Sequence, residues 1–170
     1  MKGFLSPLFP FIFRNKFLCM KKAILFFLWL TAGYVVKAQT ATDSVKAVIN
    51  QLFTAMRNAD STSVVNCFAE KHTLQTLVRN KDGNMYSKTD QVTDFGHNIA
   101  RLQKNAADER IEFASINIDG PLASVWTPYK FYFNGNFSHC GANSFQLLRT
   151  KNGWKILYLV DTRRKEPCEK

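Results

Sequence analysis

The chain has 170 residues, ordinary apolar (46%) and charged (21%) fractions, and a formal net charge of +10. That length holds one domain with a proper core and is short for two, and the composition argues against disorder. The charge does not argue for nucleic acid: six basic residues and no acid fall in residues 1–38, so removing them from +10 leaves +4 for the rest, and the last basic run, Arg163-Arg164-Lys165, is followed at once by Glu166.

The N-terminal 38 residues read as a targeting region rather than as part of the fold. Met20-Lys21-Lys22 is a basic start, residues 23–36 are an apolar run, and Val36-Lys37-Ala38 fits the small-residue rule for cleavage, leaving Gln39 as the mature start. Met20 is the expected true start. The apolar run is too short for a comfortable membrane span, and Cys19 precedes it, so no lipid attachment is expected. The protein is thus expected to be secreted or periplasmic, off the membrane once cleaved. Residues 39–164 form the domain and 165–170 a tail. In an oxidising compartment Cys67, Cys140 and Cys168 allow one internal disulfide and leave one thiol over, and spacing does not choose among them. No Cys/His cluster has zinc spacing.

Residues 43–57 predict a first helix, because Val45, Val48, Ile49, Leu52, Phe53 and Met56 form one apolar stripe. Thr42 or Asp43 serves as its cap. Asn58-Ala59-Asp60-Ser61 breaks it, and Asp60 is the expected N-cap of a short second helix over 61–69. An extended segment around residues 72–79 meets a hairpin turn at Lys81-Asp82-Gly83-Asn84. A third helix is expected near 90–104, with Val92, Phe95, Ile99 and Leu102 on one side. From Arg110 the period changes to two. A strand LASVWTPYKFYF (122–133), the turn Asn134-Gly135, a return strand FSHCGANSFQLLRT (137–150) and a last strand WKILYLVDTR (154–163) follow.

This order predicts an α+β domain, three helices packed on a strongly curved antiparallel sheet. Plain alternation along the last strand places Trp154, Ile156, Tyr158 and Val160 on one face, with Leu157 and Leu159 on the other. Both faces are apolar, so the outer face needs cover, and a second copy of the chain is the simplest source.

The segments AMRNADSTSVVNCF (55–68) and FNGNFSHCGANSFQLLRTKNGWKILYLVDTRR (133–164), in this element order, resemble the nuclear transport factor 2-like superfamily, in particular its secreted SnoaL-like and lumazine-binding types. The resemblance spans residues 41–164. It implies a cone with an internal pocket and dimerisation through the outer sheet face. It leaves the reaction open, because the superfamily holds dehydratases, isomerases, epoxide hydrolases, cyclases and proteins without known chemistry. Its enzymes place acids, histidines or tyrosines in the cone.

Candidates for such a role are few. His139 and Asp161 are the candidate catalytic pair, with Asp60 a substitute for the acid. Asp161 also reads as a strand-end ion pair with Arg163, and Asp60 as a helix cap. His72 and His97 have no carboxylate at a diagnostic spacing. Alternation places Phe137, His139, Gly141, Asn143, Phe145 and Leu147 on one face, with Gly141 leaving room for a ligand. That face lines either the pocket or the outer surface. Trp126, Tyr129, Tyr132, His139, Asn143 and Phe145 are the candidate ligand-binding residues. Cys140 points the other way and is a buried thiol or half of a disulfide, with Cys168 a guess for its partner. No nucleophile elbow, phosphate loop, metalloprotease motif or dinucleotide fingerprint occurs, and no cofactor is expected. Three functions stay open: an exported binder of a small apolar or aromatic molecule, a dehydratase- or isomerase-type enzyme using His139 with a pocket carboxylate, and a non-catalytic dimeric interaction module.

Overall fold

A computed structural model describes residues 40–165 and Cys168. The expected targeting region, the expected cleavage site and most of the C-terminal tail lie outside the described residues. The elements are α1 (Ala41–Arg57), α2 (Ser61–Asn66), β1 (Phe68–Arg79), β2 (Met85–Asp90), α3 (Val92–Ala100), β3 (Ala107–Ile111), β4 (Ser115–Asp119), β5 (Leu122–Phe133), β6 (Asn136–Thr150) and β7 (Gly153–Thr162). One seven-stranded sheet runs in the order β2-β1-β7-β6-β5-β3, and β4 shares the β5 edge with β3. The neighbours are antiparallel except β1 and β7, which run parallel. The expected antiparallel meander is thus completed by one parallel join, because β1 arrives from the helices at the free edge of the last strand.

The helices begin where capping chemistry allows. Thr40, rather than Thr42 or Asp43, accepts the Asp43 N–H and opens α1. Asp60 caps α2 through Ser63 N at 2.9 Å and Ser63 Oγ at 2.6 Å. α2 is shorter than its predicted span, since Cys67 ends it and Phe68 enters the sheet. α3 starts after Gln91 without a side-chain cap. Gly96 is explained by packing: a Cβ there meets Val65 Cγ2 at 3.2 Å and Ser61 O at 3.3 Å, so glycine lets α2 and α3 approach closely.

The buried stripe of α1 lies on the concave sheet face, with Phe53 edge-to-face on Phe145 at 6.3 Å. Arg57 at the end of α1 grips Asp108 of β3 at 3.0 Å, and the Asn105 N–H donates to its carbonyl. These contacts hold the β3 edge under the helix.

Two irregularities decide what faces inward. On β6, Phe131 pairs with His139 but Tyr132 pairs with Phe137, so Ser138 is an extra residue. Asn134 (φ 51°) and Gly135 (φ 80°) close the hairpin as a two-residue loop. On β7, Leu147 pairs with Ile156 but Gln146 pairs with Tyr158, so Leu157 is the extra residue. Trp154, Ile156, Leu159 and Asp161 are therefore all buried, while Leu157 is exposed. This corrects the face assignment made by plain alternation for the last strand. The extra Ser138 on β6 separates Phe137 from His139, and Phe137 is exposed and packs edge-to-face on Tyr132 at 6.0 Å.

Candidate functional site

The sheet register sets a polar row into an otherwise apolar concave face. Thr76 of β1 is level with Asp161 of β7, Asp161 with Asn143 of β6, and Asn143 with Thr127 of β5. These four are the buried polar side chains among the described residues. The row just below reads Leu74, Leu159, Phe145, Val125 and belongs to the core. An open space lies over the polar row, and Leu74 and Leu159 of the lower row also reach it. The space is a cavity of about 310 Å³, lined by Leu52, Phe53 and Met56 from α1, Phe95 and Ile99 from α3, and Glu109, Tyr129, Phe131, His139, Asn143, Asp161 and Arg163 from the sheet, among others.

Asp161 is a heavily partnered anion. Its Oδ1 accepts from Thr76 Oγ1 at 2.6 Å, and its Oδ2 accepts from Arg163 Nε at 2.8 Å and Tyr129 OH at 3.4 Å. The ion pair with Arg163 was legible in the sequence, but it lies against the cavity, with the Asp161 side chain only 11% exposed. Burial works against the Arg163 cation, yet the hydrogen bond and charge of Asp161 outweigh it and hold its pKa above the ordinary guanidinium value. Burial, then the Asp161 and Glu109 charges, push the Tyr129 phenol well above its usual range. Tyr129 OH donates to the Thr162 carbonyl at 2.9 Å.

Glu109 is the opposite case. It enters the cavity from β3 beside its cross-strand neighbour Phe131. Its Oε1 accepts from Asn143 Nδ2 at 2.8 Å, and no described residue donates to Oε2. Burial raises its pKa to about 7, with the nearby Asp161 charge adding to the rise and Asn143 and Arg163 opposing it. Among the described residues this is the carboxylate best suited to exchange a proton near neutrality. Sequence reading passed over it. The available signal was ADERI, where alternation puts Glu109 on the same face as Ala107 and Ile111.

His139 reaches the same cavity. Its ring stacks at a tilt on Phe131 (4.9 Å) and edge-on to Tyr129 (5.7 Å), and Nδ1 lies 3.1 Å from Ser138 Oγ. Burial, then Arg163, lower its pKa and favour the neutral imidazole, against a weaker pull from Asp161. His139 and Asp161 are brought to one cavity without a hydrogen bond between them.

Of the six expected ligand-binding residues, Tyr129, His139 and Asn143 line this cavity. Phe145 does not, because it is fully buried one row down in the core. Trp126 and Tyr132 do not either. They point to the other side of β5 and line a groove on the outer sheet face. Gly141 does not make room for a ligand: a Cβ there falls 1.8 Å from the Thr162 carbonyl oxygen and 2.9 Å from Tyr129 Cε1, so the end of β7 occupies the space. Asp60 is an exposed cap, His97 is exposed on α3, and His72 turns Nδ1 to the Ala69 carbonyl at 2.7 Å. Cys140 and Cys168 form a disulfide and Cys67 is a buried free thiol, whose pKa burial raises to about 11 against the pull of Lys155. Among the described residues no three His, Cys, Asp or Glu side chains converge as a metal site.

No protein-family model and no curated protein matches the chain. Solved structures do. A protein of unknown function from Shewanella baltica OS155, described as NTF2-like, is 15% identical with a TM-score of 0.56, covering 72% of this chain and 93% of that one. An NTF2-like protein of unknown function from Methylobacillus flagellatus KT is 17% identical with a TM-score of 0.55, covering 78% and 99%. A domain of unknown function with a cystatin-like fold from Nostoc punctiforme is 14% identical with a TM-score of 0.58, covering 78% and 81%. Identities this low speak to the fold alone. Three helices on a curved, unclosed sheet, and this agreement along most of the described chain, give the protein the nuclear transport factor 2-like cone fold.

Proposed function

We propose that the protein binds a small, largely apolar or aromatic molecule inside its cone. The observation that carries this reading is the cavity itself. Its volume, about 310 Å³, is at the lower end of the range of small-molecule sites. Its helix side is apolar, and its hydrogen-bonding groups are gathered on the sheet side, as a site needs in order to orient a ligand. Mass spectrometry of small molecules retained by the purified protein, with thermal shifts across a metabolite panel, tests it. No retained molecule and no shift would overturn it. Export from the cytoplasm belongs to the same proposal and is supported by the residue pattern before Gln39 and by the Cys140–Cys168 disulfide. The mass of the mature protein, starting at Gln39, tests it.

A second reading, an acid–base enzyme of the dehydratase or isomerase kind, is favoured by Glu109. Glu109 takes the proton-accepting role better than Asp161, whose two oxygens already accept from Thr76 and Arg163. Turnover that disappears in Glu109→Gln while ligand binding persists supports it. The homodimer also stays a proposal. Leu122 and Leu148 are cross-strand neighbours and exposed on the outer face, with Trp126 and Leu157 exposed as well. Sedimentation of the wild type and of Leu148→Lys tests it, and a monomeric wild type sinks it.

A further inference from the structure

We propose that the cone selects a small apolar molecule carrying a protonated amine, with the Glu109 carboxylate as its counter-ion; this rests on the binding reading above. The argument starts from charge. Residues 39–170 carry a net positive charge, +10 less the six basic residues of 1–38, or +4. The cavity is the reverse: Asp90, Glu109 and Asp161 line it against one guanidinium, Arg163. Two of the three acids have their own cations. Asp90 pairs with Lys88 at 2.7 Å, and Asp161 with Arg163 at 2.8 Å. Glu109 has no cationic partner within salt-bridge distance among the described residues.

The local geometry points the same way. Glu109 Oε1 holds the Asn143 amide, which fixes the carboxylate, and Oε2 accepts no bond from any described residue. A ligand ammonium can supply both the hydrogen bond and the charge. Around it stand aromatic rings. Phe131 is the cross-strand neighbour of Glu109, His139 packs on Phe131, and Tyr129 packs edge-on to His139. The faces of Phe and Tyr rings attract a cation lying within about 6 Å. A carboxylate ligand meets the reverse conditions, because Arg163 is already matched by Asp161 and the remaining unpaired charge is negative. Burial raises the Glu109 pKa to about 7, so an amine that supplies a cation also recovers the cost of ionising it.

The test uses three probes with similar aromatic bodies and different heads: 2-phenylethylamine, 2-phenylethanol and 3-phenylpropionate. Calorimetric titration of the oxidised protein at pH 8 is expected to rank the amine tightest, at least tenfold over the alcohol, with the acid weakest. In Glu109→Gln the amine is expected to lose tenfold or more, while the alcohol changes less than threefold. Binding of the alcohol or acid as tightly as the amine overturns the amine inference and leaves the binding reading standing. An amine advantage that survives Glu109→Gln overturns the role of Glu109. Failure of all three probes to bind, in a protein shown to be folded by its thermal transition, counts against both.

Discussion

Replacing Gly141 by alanine probes the join between the cavity and the C-terminal end of the last strand. A Cβ at Gly141 lies 1.8 Å from the Thr162 carbonyl oxygen and 2.8 Å from its carbon, both backbone atoms. An ordinary contact needs more than 3 Å, so the end of β7 must move by more than 1 Å or pull away. One longer hydrogen bond, from Ala142 N–H to Thr162 Oγ1 at 3.2 Å, spans that join beside three shorter ones. Cys140 N–H donates to Arg164 O at 2.8 Å, Arg164 N–H donates to Cys140 O at 2.9 Å, and Tyr129 OH donates to Thr162 O at 2.9 Å. Their loss costs about 3 kcal/mol, at about 1 kcal/mol each. That corresponds to a fall in melting temperature of roughly 10 °C for a domain of this size. Arg163 lies between two of the displaced groups, so the Asp161 ion pair is disturbed as well. Urea unfolding and thermal melts of Gly141→Ala against wild type measure the effect. A variant within about 0.5 kcal/mol of wild type would mean that β7 does not lie against Gly141, and the geometry drawn for Asp161 and Arg163 would fall with it.

Glu109 makes stability depend on pH in an unusual direction. Its folded pKa, about 7, lies above its ordinary value of 4.5, so between those values the folded state holds the proton more tightly. Its contribution is fully present below about pH 4.5 and lost as pH rises through 7, by about 3 kcal/mol at most. Glu109→Gln is therefore expected to be more stable than wild type at pH 8, with the gap closing toward pH 5; an equal gap at both pH values refutes this. Thr76→Val removes the donor to Asp161 Oδ1 and is expected to cost about 1–3 kcal/mol by chemical denaturation, against a negligible change for exposed Thr93→Val. The Cys140–Cys168 disulfide closes 28 residues, and its removal by Cys140→Ser together with Cys168→Ser should cost about 3.5 kcal/mol on a loop-entropy estimate. Cys67 is buried and its thiol pKa is raised to about 11. Peptide mapping after iodoacetamide treatment should find it alkylated only in denaturant, and labelling of the native protein would contradict its burial.

What sequence reading captured follows from local chemistry. The 122–133 strand, the Asn134-Gly135 turn and the α1 stripe each rest on a period or a turn preference that neighbours cannot easily override. The N-cap role of Asp60 is of the same kind. What it missed follows from register. Alternation assumes an unbroken strand, and the extra residues Ser138 and Leu157 each shift the count by one. Neither has a composition that marks a bulge. Trp126 and Tyr132 fall on the opposite side of β5 from Tyr129 by plain alternation, but only the pairing across the Asn134-Gly135 turn shows that the Tyr129 side is the one that shares the cavity with His139. Glu109 escaped notice because it sits between Asp108 and Arg110, and that charged run conceals a residue whose side chain enters the cavity. The polar row of Thr76, Asp161, Asn143 and Thr127 is spread over four strands, and no sequence spacing reveals it.

The bulge at Leu157 separates two properties that a strand ordinarily ties together, the choice of inward side chains and the bending of the sheet. With Leu157 deleted, plain alternation alone keeps Trp154, Ile156, Leu159 and Asp161 on one face, because the residue removed is the one that interrupts the count. The kink and added twist that a bulge brings disappear with it. Such a chain retains every residue that lines the cavity and loses only a source of curvature. Any change in how large a molecule it admits then measures the shape of the cone, independent of the chemistry of its walls.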